Sequence, residues 1–154
     1  MAHLEGSPED RRHIARALEL AQTALEAGDV PVGAVLLCGD LRLEAKNEKE
    51  LQCDATAHAE MLVLREASKR LGAWRLSDAT LYVTKEPCVM CAGAILAARI
   101  KRLVYAARDP KGGADGGGFD ILRSPQTNHR IEVTAGVLEE EASEQLQQFF
   151  KSKR

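Results

Sequence analysis

Two short motifs in this 154-residue chain combine residue types that can bind a metal ion and move a proton. One is His58-x-Glu60, and the other is Pro87-Cys88-x-x-Cys91. Two cysteines separated by two residues in the first turn of a helix can direct both sulfurs at one tetrahedral ion, and the positive end of the helix dipole favours their thiolates. With His58, the set of one nitrogen and two sulfurs suits Zn²⁺ and leaves a fourth position for water. An open fourth position is characteristic of a catalytic ion.

Glu60 extends this metal-site prediction to an enzyme. A water molecule on Zn²⁺ has a pKa lowered to about 7, and its proton still needs a group that accepts and redelivers it. A carboxylate beside the metal can act as that shuttle. Because residues i and i+2 do not share a face in the middle of a helix, His58 and Glu60 must converge from its first turn.

Two other interpretations of the cysteine pair are open at this point. Cys88 and Cys91 could form a redox pair or one half of a closed structural zinc site. A closed site needs a fourth ligand, and Cys53 is the only candidate in a loop. Cys38, the remaining cysteine, ends an apolar run, and the even cysteine count does not indicate disulfides in a chain without a readable secretory signal.

Hydrophobic periodicity and turn signals predict the elements that must position these motifs. Helices are expected at residues 8–28, 58–71, 88–98 and 138–151, where Gly28 and Gly72 act as stop signals. Strands are expected at residues 32–38, 41–46, 79–84, 102–106 and 131–135. Residues 47–56 are expected as a polar connection, and the glycine-rich residues 108–118 as a mobile loop.

This order of elements predicts an α/β fold, a three-layer α/β/α sandwich with a single mixed central sheet of about five strands. The length corresponds to one domain, residues 1–154, and 45% hydrophobic residues are enough to form a core. We expect a cytoplasmic protein without membrane segments, because no apolar stretch approaches the ~20 residues of a spanning helix. A net charge of −2 argues against a generally basic nucleic-acid-binding protein, so any nucleic-acid site must be local.

Beyond the two motifs, segments along almost the whole chain resemble the bacterial tRNA-specific adenosine deaminases, which belong to the zinc-dependent cytidine and deoxycytidylate deaminase superfamily. These segments are DVPVGAVLL, DATAHAEM, ATLYVTKEPCVMCAGAIL, ARDPKGG, NHRIEVTAGVL and FFKSKR. The resemblance implies a cytidine deaminase-like fold and hydrolytic conversion of adenosine to inosine at the wobble position of an arginine tRNA anticodon. It also implies a homodimer with one Zn²⁺ per subunit.

The resemblance further implies roles for individual residues. The metal ligands are His58, Cys88 and Cys91, and Glu60 is the catalytic proton shuttle that serves N1 of adenine and the departing ammonia. The residues implied in substrate binding are Val30 in the pocket wall, Asn47 and the backbone of Ala57 at the base, and Asp109 and Lys111 beside the flipped nucleotide.

The chain departs from the family pattern at three places. Ala55 stands where proline is common, Lys85 stands where an apolar residue is common, and the loop sequence GADGGGF is unusual. A zinc-dependent deaminase of a free base or nucleoside, such as guanine, cytosine or cytidine, is therefore the second interpretation. A non-catalytic zinc-bearing partner subunit is the third, although Glu60 is present.

Basic residues are concentrated after the zinc motif. Residues 99–130 carry seven basic and three acidic side chains, a net charge of +4. Such a patch can attract phosphates, although an ordinary solvated surface would have a similar composition. The candidate RNA contacts here and at the C-terminal end are Arg108, Phe149, Phe150, Lys151, Lys153 and Arg154.

Overall fold

The computed structural model describes residues 6–153 and builds them into one mixed sheet with helices on both faces. Arg154, one of the candidate RNA contacts, lies outside the described residues. The helices are α1 (Pro8–Glu26), α2 (Lys49–Gln52), α3 (Ala59–Leu71), α4 (Val89–Ala97) and α5 (Glu139–Ser152). The strands are β1 (Gly33–Cys38), β2 (Leu41–Lys46), β3 (Thr80–Lys85), β4 (Arg102–Ala107) and β5 (Glu132–Thr134). None of the helices within residues 6–153 is both long and apolar enough to cross a bilayer.

The strand order β2-β1-β3-β4-β5 places the parallel strands β3, β4 and β5 next to one another. β1 is antiparallel to both β2 and β3, whereas β4 is parallel to β3 and β5, which confirms the mixed sheet. The register pairs Lys85 with Ala107 at the carboxyl ends of β3 and β4. The cysteine motif follows β3 and residues 109–118 follow β4, so both segments leave the sheet at the same edge. Ligand sites of open α/β sheets lie at this edge.

Alternation along the strands separates two cores, and this confirms the three layers. Leu36, Leu81 and Leu103 point to the face covered by α3 and α4. Val35, Tyr82 and Val104 point to the face covered by α1 and α5. α1 packs so closely on the sheet at Gly33 that a Cβ on this residue would overlap the carbonyl oxygen of Ala17.

The sequence signals for the start of α1 and the end of α3 are confirmed, whereas two other expectations differ from the structure. Ser7 and Asp10 form a capping box at the start of α1, and Gly72 ends α3 in the left-handed conformation. The polar connection of residues 47–56 was expected without regular structure, but it contains the single-turn helix α2. Leu71 follows Met61, Leu64 and Ala67 at helical spacing, which predicts a buried position, but it is the last residue of α3 and is exposed.

A buried ion pair between Asp10 and Arg102 ties the start of α1 to β4. The Arg102 guanidinium donates to both carboxylate oxygens at 2.8 and 2.7 Å. Burial by itself raises the pKa of Asp10, but the hydrogen bonds and charge of Arg102 hold it below its usual value. A depressed folded-state pKa contributes stability above the pKa of the unfolded chain, and this contribution disappears as pH falls through the folded-state pKa.

We expect Asp10→Asn to lower the free energy of unfolding by about 3 kcal/mol at neutral pH, because it removes the buried counter-charge of the Arg102 guanidinium and leaves only the longer pair with the exposed Glu132. The difference from wild type should shrink on acidification, since wild-type Asp10 then becomes neutral as well. Urea unfolding at several pH values measures both effects. Glu19→Gln on the exposed side of α1 is the control, with an expected change below about 0.5 kcal/mol. A loss that does not depend on pH would contradict the ion-pair explanation.

Candidate active site

The two metal motifs meet where α3 and α4 begin. His58 is the N-cap residue of α3, and Cys88 is the N-cap residue of α4, with Cys91 in the first turn. The ligand atoms of these three residues all lie within 4.8 Å of one another. Nδ1 of His58 lies 3.7 Å from Sγ of Cys88 and 3.4 Å from Sγ of Cys91. Ligand atoms on one tetrahedral Zn²⁺ are separated by roughly 3.5 to 3.8 Å, so the donor types and spacings fit this ion.

Cys53 does not join this cluster among residues 6–153. Its side chain is exposed, its backbone adopts the left-handed conformation at the end of α2, and its thiol donates to the carbonyl oxygen of Glu50 at 3.7 Å. The closed four-ligand site considered from the sequence is therefore not supported. Three protein ligands leave one coordination position for water or substrate.

The two thiols have strongly different proton affinities. The hydrogen bond between them lowers the pKa of Cys88 to about 3, and hydrogen bonding with His58 contributes to this shift. The same bond and burial raise the pKa of Cys91. The thiol of Cys91 thus holds its proton more tightly than the thiol of Cys88 does. A divalent cation bound between the sulfurs would displace that proton and stabilise both thiolates.

Glu60 lies beside the cluster, in the first turn of α3. Its side chain is only 4% exposed, and burial raises the pKa of its carboxyl group. Among the described residues no group forms a hydrogen bond with its Oε1 atom. A buried polar atom without a partner costs free energy, which indicates that water, substrate or an ion completes this position. The first-turn geometry also resolves how His58 and Glu60 converge although they are two positions apart.

The cavity at this point is lined by residues from four different segments of the chain. They are Val30, Val32, Asn47, Lys49, His58, Glu60, Lys85, Glu86 and Cys88. Val30 and Asn47 thus lie where the family resemblance places substrate contacts. Ala57, the third residue that the resemblance implies around the base, does not line this cavity. It is fully buried, its N–H donates to Asp54, and its carbonyl oxygen accepts from the N–H of Glu48.

Asn47 has a second role that sequence reasoning missed. Its Oδ1 accepts the backbone N–H of Ala59 at 2.8 Å, so it binds an N–H group at the start of α3 next to His58. Because Oδ1 is engaged, the Nδ2 group is the part of the side chain left to donate to a ligand in the cavity. The sequence offers little to indicate this contact, because Asn47 lies 12 positions before Ala59. Its role becomes visible in the structure, where the side chain of the N-cap residue His58 makes no capping bond.

Asp109 contacts Lys85 of the cavity lining but, like Lys111, is not itself a lining residue. Its Oδ2 pairs with Nζ of Lys85 at 3.0 Å, and its Oδ1 accepts the backbone N–H groups of Lys111 and Gly112 at 3.1 Å each. Burial raises the pKa of Asp109, but Lys85 and these N–H groups hold it below its usual value. Lys85, which departs from the family pattern, is thereby part of the site, while the side chain of Lys111 is exposed.

The candidate RNA contacts at the C-terminal end differ in exposure. Phe149 is 8% exposed and packs edge-on against Phe150, which is 50% exposed. Phe149 is therefore a core residue and does not offer its ring to a base. Lys151 and Lys153 are exposed. Arg108 pairs with Glu139 at 2.9 Å, so a phosphate would have to compete for its guanidinium.

Comparison with known proteins agrees with this geometry. Residues 9–154 match the family model described as MafB19-like deaminase. The chain is 47% identical to a tRNA-specific adenosine deaminase of Bacillus subtilis over 95% of this chain and 91% of the relative. A solved structure of a tRNA:A34 deaminase, from work on A-to-I editing at the wobble position, superposes with a TM-score of 0.83 at 44% identity, covering 87% of this chain and 98% of the other. Guanine deaminase from Bacillus subtilis is less similar, with 34% identity, a TM-score of 0.61, and coverage of 96% and 95%.

Proposed function

Because this chain belongs to the family of tRNA-specific adenosine deaminases, we propose that it converts adenosine to inosine at the wobble position of an arginine tRNA anticodon. The chain is a hydrolytic deaminase, so the reaction consumes water and releases ammonia. The observation that carries the proposal is the unpartnered buried oxygen of Glu60 beside the His58, Cys88 and Cys91 ligand cluster. Catalysis takes place within one domain, residues 1–154.

One Zn²⁺ per subunit completes the site. His58 Nδ1 and the sulfurs of Cys88 and Cys91 would hold it, because their separations and donor types fit a tetrahedral ion. When bound, Zn²⁺ supplies the Lewis acidity that lowers the pKa of a coordinated water molecule to about 7.

Glu60 moves the protons of the reaction. Its carboxylate accepts a proton from the attacking water and delivers it to N1 of the adenine as C6 becomes tetrahedral. It then transfers the proton of the new C6 hydroxyl group to the amino group, which leaves as ammonia. The buried setting keeps bulk water from competing for this proton. The third interpretation, a non-catalytic zinc-bearing subunit, lacks support because the Glu60 carboxylate is present and lines the same cavity as His58 and Cys88.

Other residues of the cavity hold the substrate. Nδ2 of Asn47 donates to an acceptor nitrogen of the purine, and Val30 packs against the base. Ala57, which the family resemblance also implies at the base, does not line the cavity and has its backbone N–H and carbonyl oxygen bonded within the chain, so we do not assign it a substrate contact. Asp109 retains a free lone pair that can accept a ribose hydroxyl, and the exposed ammonium group of Lys111 can approach a phosphate.

A second copy of the chain is the proposed partner in a homodimer. An apolar groove on the outer side of α3 and α4 is lined in part by Met61, Leu64, Ala94, Ala97 and Trp74. The side chain of Trp74 is 59% exposed. Exposed apolar patches of this kind mark association surfaces, and a two-fold contact covers the same patch on both subunits. Sedimentation equilibrium should give twice the 16.8 kDa mass of one chain, and a monomeric mass would refute the dimer.

The central experiment measures inosine formation by the zinc-loaded protein on an arginine tRNA anticodon stem-loop with adenosine at the wobble position. Free adenosine, guanine, cytosine and cytidine are tested in parallel for ammonia release, because the last three would give xanthine, uracil and uridine and not inosine. We expect product only from the stem-loop. Turnover of a free base alone would support the second candidate function, which the similarity to guanine deaminase favours.

Lys111→Ala should weaken stem-loop binding and reduce the slope of log K against log salt by about one, because one phosphate contact releases roughly one counterion. Lys101→Ala is the matched control, since this exposed lysine precedes β4 and Lys111 follows it at the opposite end of the strand. Binding measured over a range of salt concentrations separates the two variants. An unchanged slope for Lys111→Ala would remove this residue from the RNA-binding surface.

A further inference from the structure

Glu86 is a buried carboxylate that is neither one of the proposed metal ligands nor the proposed proton shuttle. It follows β3, is 2% exposed, and lies two residues before Cys88. We infer that Glu86 is a positioning residue that holds residues 109–118, here called the glycine-rich loop, against the active site. The expected effect on substrate binding rests on the proposed function, whereas the positioning of the loop rests on the contacts of Glu86 alone.

Three backbone N–H groups of the glycine-rich loop converge on this one carboxylate. Oε1 of Glu86 accepts the N–H of Asp109 at 3.0 Å. Oε2 accepts the N–H groups of Asp115 at 2.8 Å and Gly117 at 3.1 Å. Hydrogen bonds to an ionised acceptor are about twice as strong as neutral ones, and burial strengthens them further. The loop was expected to be mobile, but these contacts bind its two ends to a single buried group.

Two of the five glycines of the loop, Gly113 and Gly117, lie directly against the same carboxylate. A Cβ at Gly113 would overlap the carboxyl carbon of Glu86, and a Cβ at Gly117 would lie 2.9 Å from Oε2 and would overlap the carbonyl oxygen of Asp109. Any side chain at these two positions would push the loop away from Glu86. The backbone can wrap around the carboxylate only because both residues lack a Cβ.

The loop is thereby connected to the metal-binding segment. The N–H of Ala114 donates to the carbonyl oxygen of Pro87 at 2.8 Å, and Gly113 forms an isolated bridge with Cys88. Glu86 itself lines the cavity. Its bond to the N–H of Asp109 fixes the position of that residue, whose carboxylate pairs with Lys85 of the cavity lining. Glu86 therefore determines where the loop presents its substrate contacts, without touching the reacting atoms.

Glu86→Gln tests this role with almost no change in volume. The carboxamide has one acceptor oxygen, and its NH₂ group must face at least one N–H donor of the loop. We expect faster hydrogen exchange at the amides of Asp109, Asp115 and Gly117, and unchanged zinc content. KM for the stem-loop should rise about tenfold, as for the loss of one charge-assisted hydrogen bond, while kcat stays within about threefold.

The exposed Glu132→Gln on β5 is the matched control and should change none of these quantities. Unchanged exchange at the three amides, or a fall in kcat at constant KM, would overturn the inference. If Glu86→Gln does not fold, Gly117→Ala displaces the loop from an intact Glu86 and should produce the same exchange and KM changes. Hydrogen exchange needs no substrate, so faster exchange without wobble inosine formation by the wild type would refute only the proposed function.

Discussion

Glu60→Gln is expected to retain its Zn²⁺ and to lose nearly all turnover, with kcat reduced by at least about 10³-fold. The carboxamide has the same shape as the carboxylate but cannot accept a proton at neutral pH. The substitution leaves His58, Cys88 and Cys91 unchanged, so the ligand cluster stays intact. Metal analysis of the purified variant and single-turnover kinetics on the wobble-adenosine stem-loop measure the two effects separately.

Glu66→Gln provides the control for Glu60→Gln. Glu66 lies on the same helix but forms a surface pair with Arg70 at 2.8 Å, and its replacement should leave both metal and turnover unchanged. Loss of Zn²⁺ from Glu60→Gln would reassign Glu60 as a ligand. Full activity in Glu60→Gln would require another group to carry the proton.

Cys88→Ala is expected to lose the metal, all activity and part of the stability. Cys88 and His58 begin two different helices, so one ion bound by both connects α3 to α4. Binding to the folded state alone adds RT ln(1 + [Zn]/Kd) to the unfolding free energy, about 4 kcal/mol at a 1,000-fold excess over Kd. Urea unfolding with Zn²⁺ and with a chelator measures this contribution.

Chelation should destabilise the wild type strongly and Cys88→Ala much less, because the variant has already lost the linked binding energy. Cys53→Ser is the matched control, since this exposed cysteine lies outside the ligand cluster. It should bind Zn²⁺ as the wild type does. Equal metal content in wild type and Cys88→Ala would show that the ligand set is wrong.

Local signals predicted the helices and strands of this protein well, and they singled out the three side chains that the fold brings together as a possible metal site. The capping box at Ser7, the stop at Gly72 and the alternation in the strands depend on residues that are neighbours in the chain. The same is true of His58-x-Glu60 and of the cysteine pair, because each motif lies within one helical turn. Burial was harder to predict. Phe149 and Leu71 have similar apolar side chains, yet one is buried and the other exposed, which depends on where each helix ends relative to the sheet.

The sequence by itself thus determined the chemistry: which side chains can bind Zn²⁺, which can move a proton, and which segments form the sheet and helices. Only the tertiary structure decided which residues assist that chemistry from a distance. Glu86 binds N–H groups 23 to 31 positions away, Lys85 pairs with Asp109, and Asn47 caps the helix that begins with Ala59. The physical reason is that motif spacing is set by covalent geometry over a few residues, whereas these contacts depend on the register of β3 and β4 and on how the connecting loops close above it.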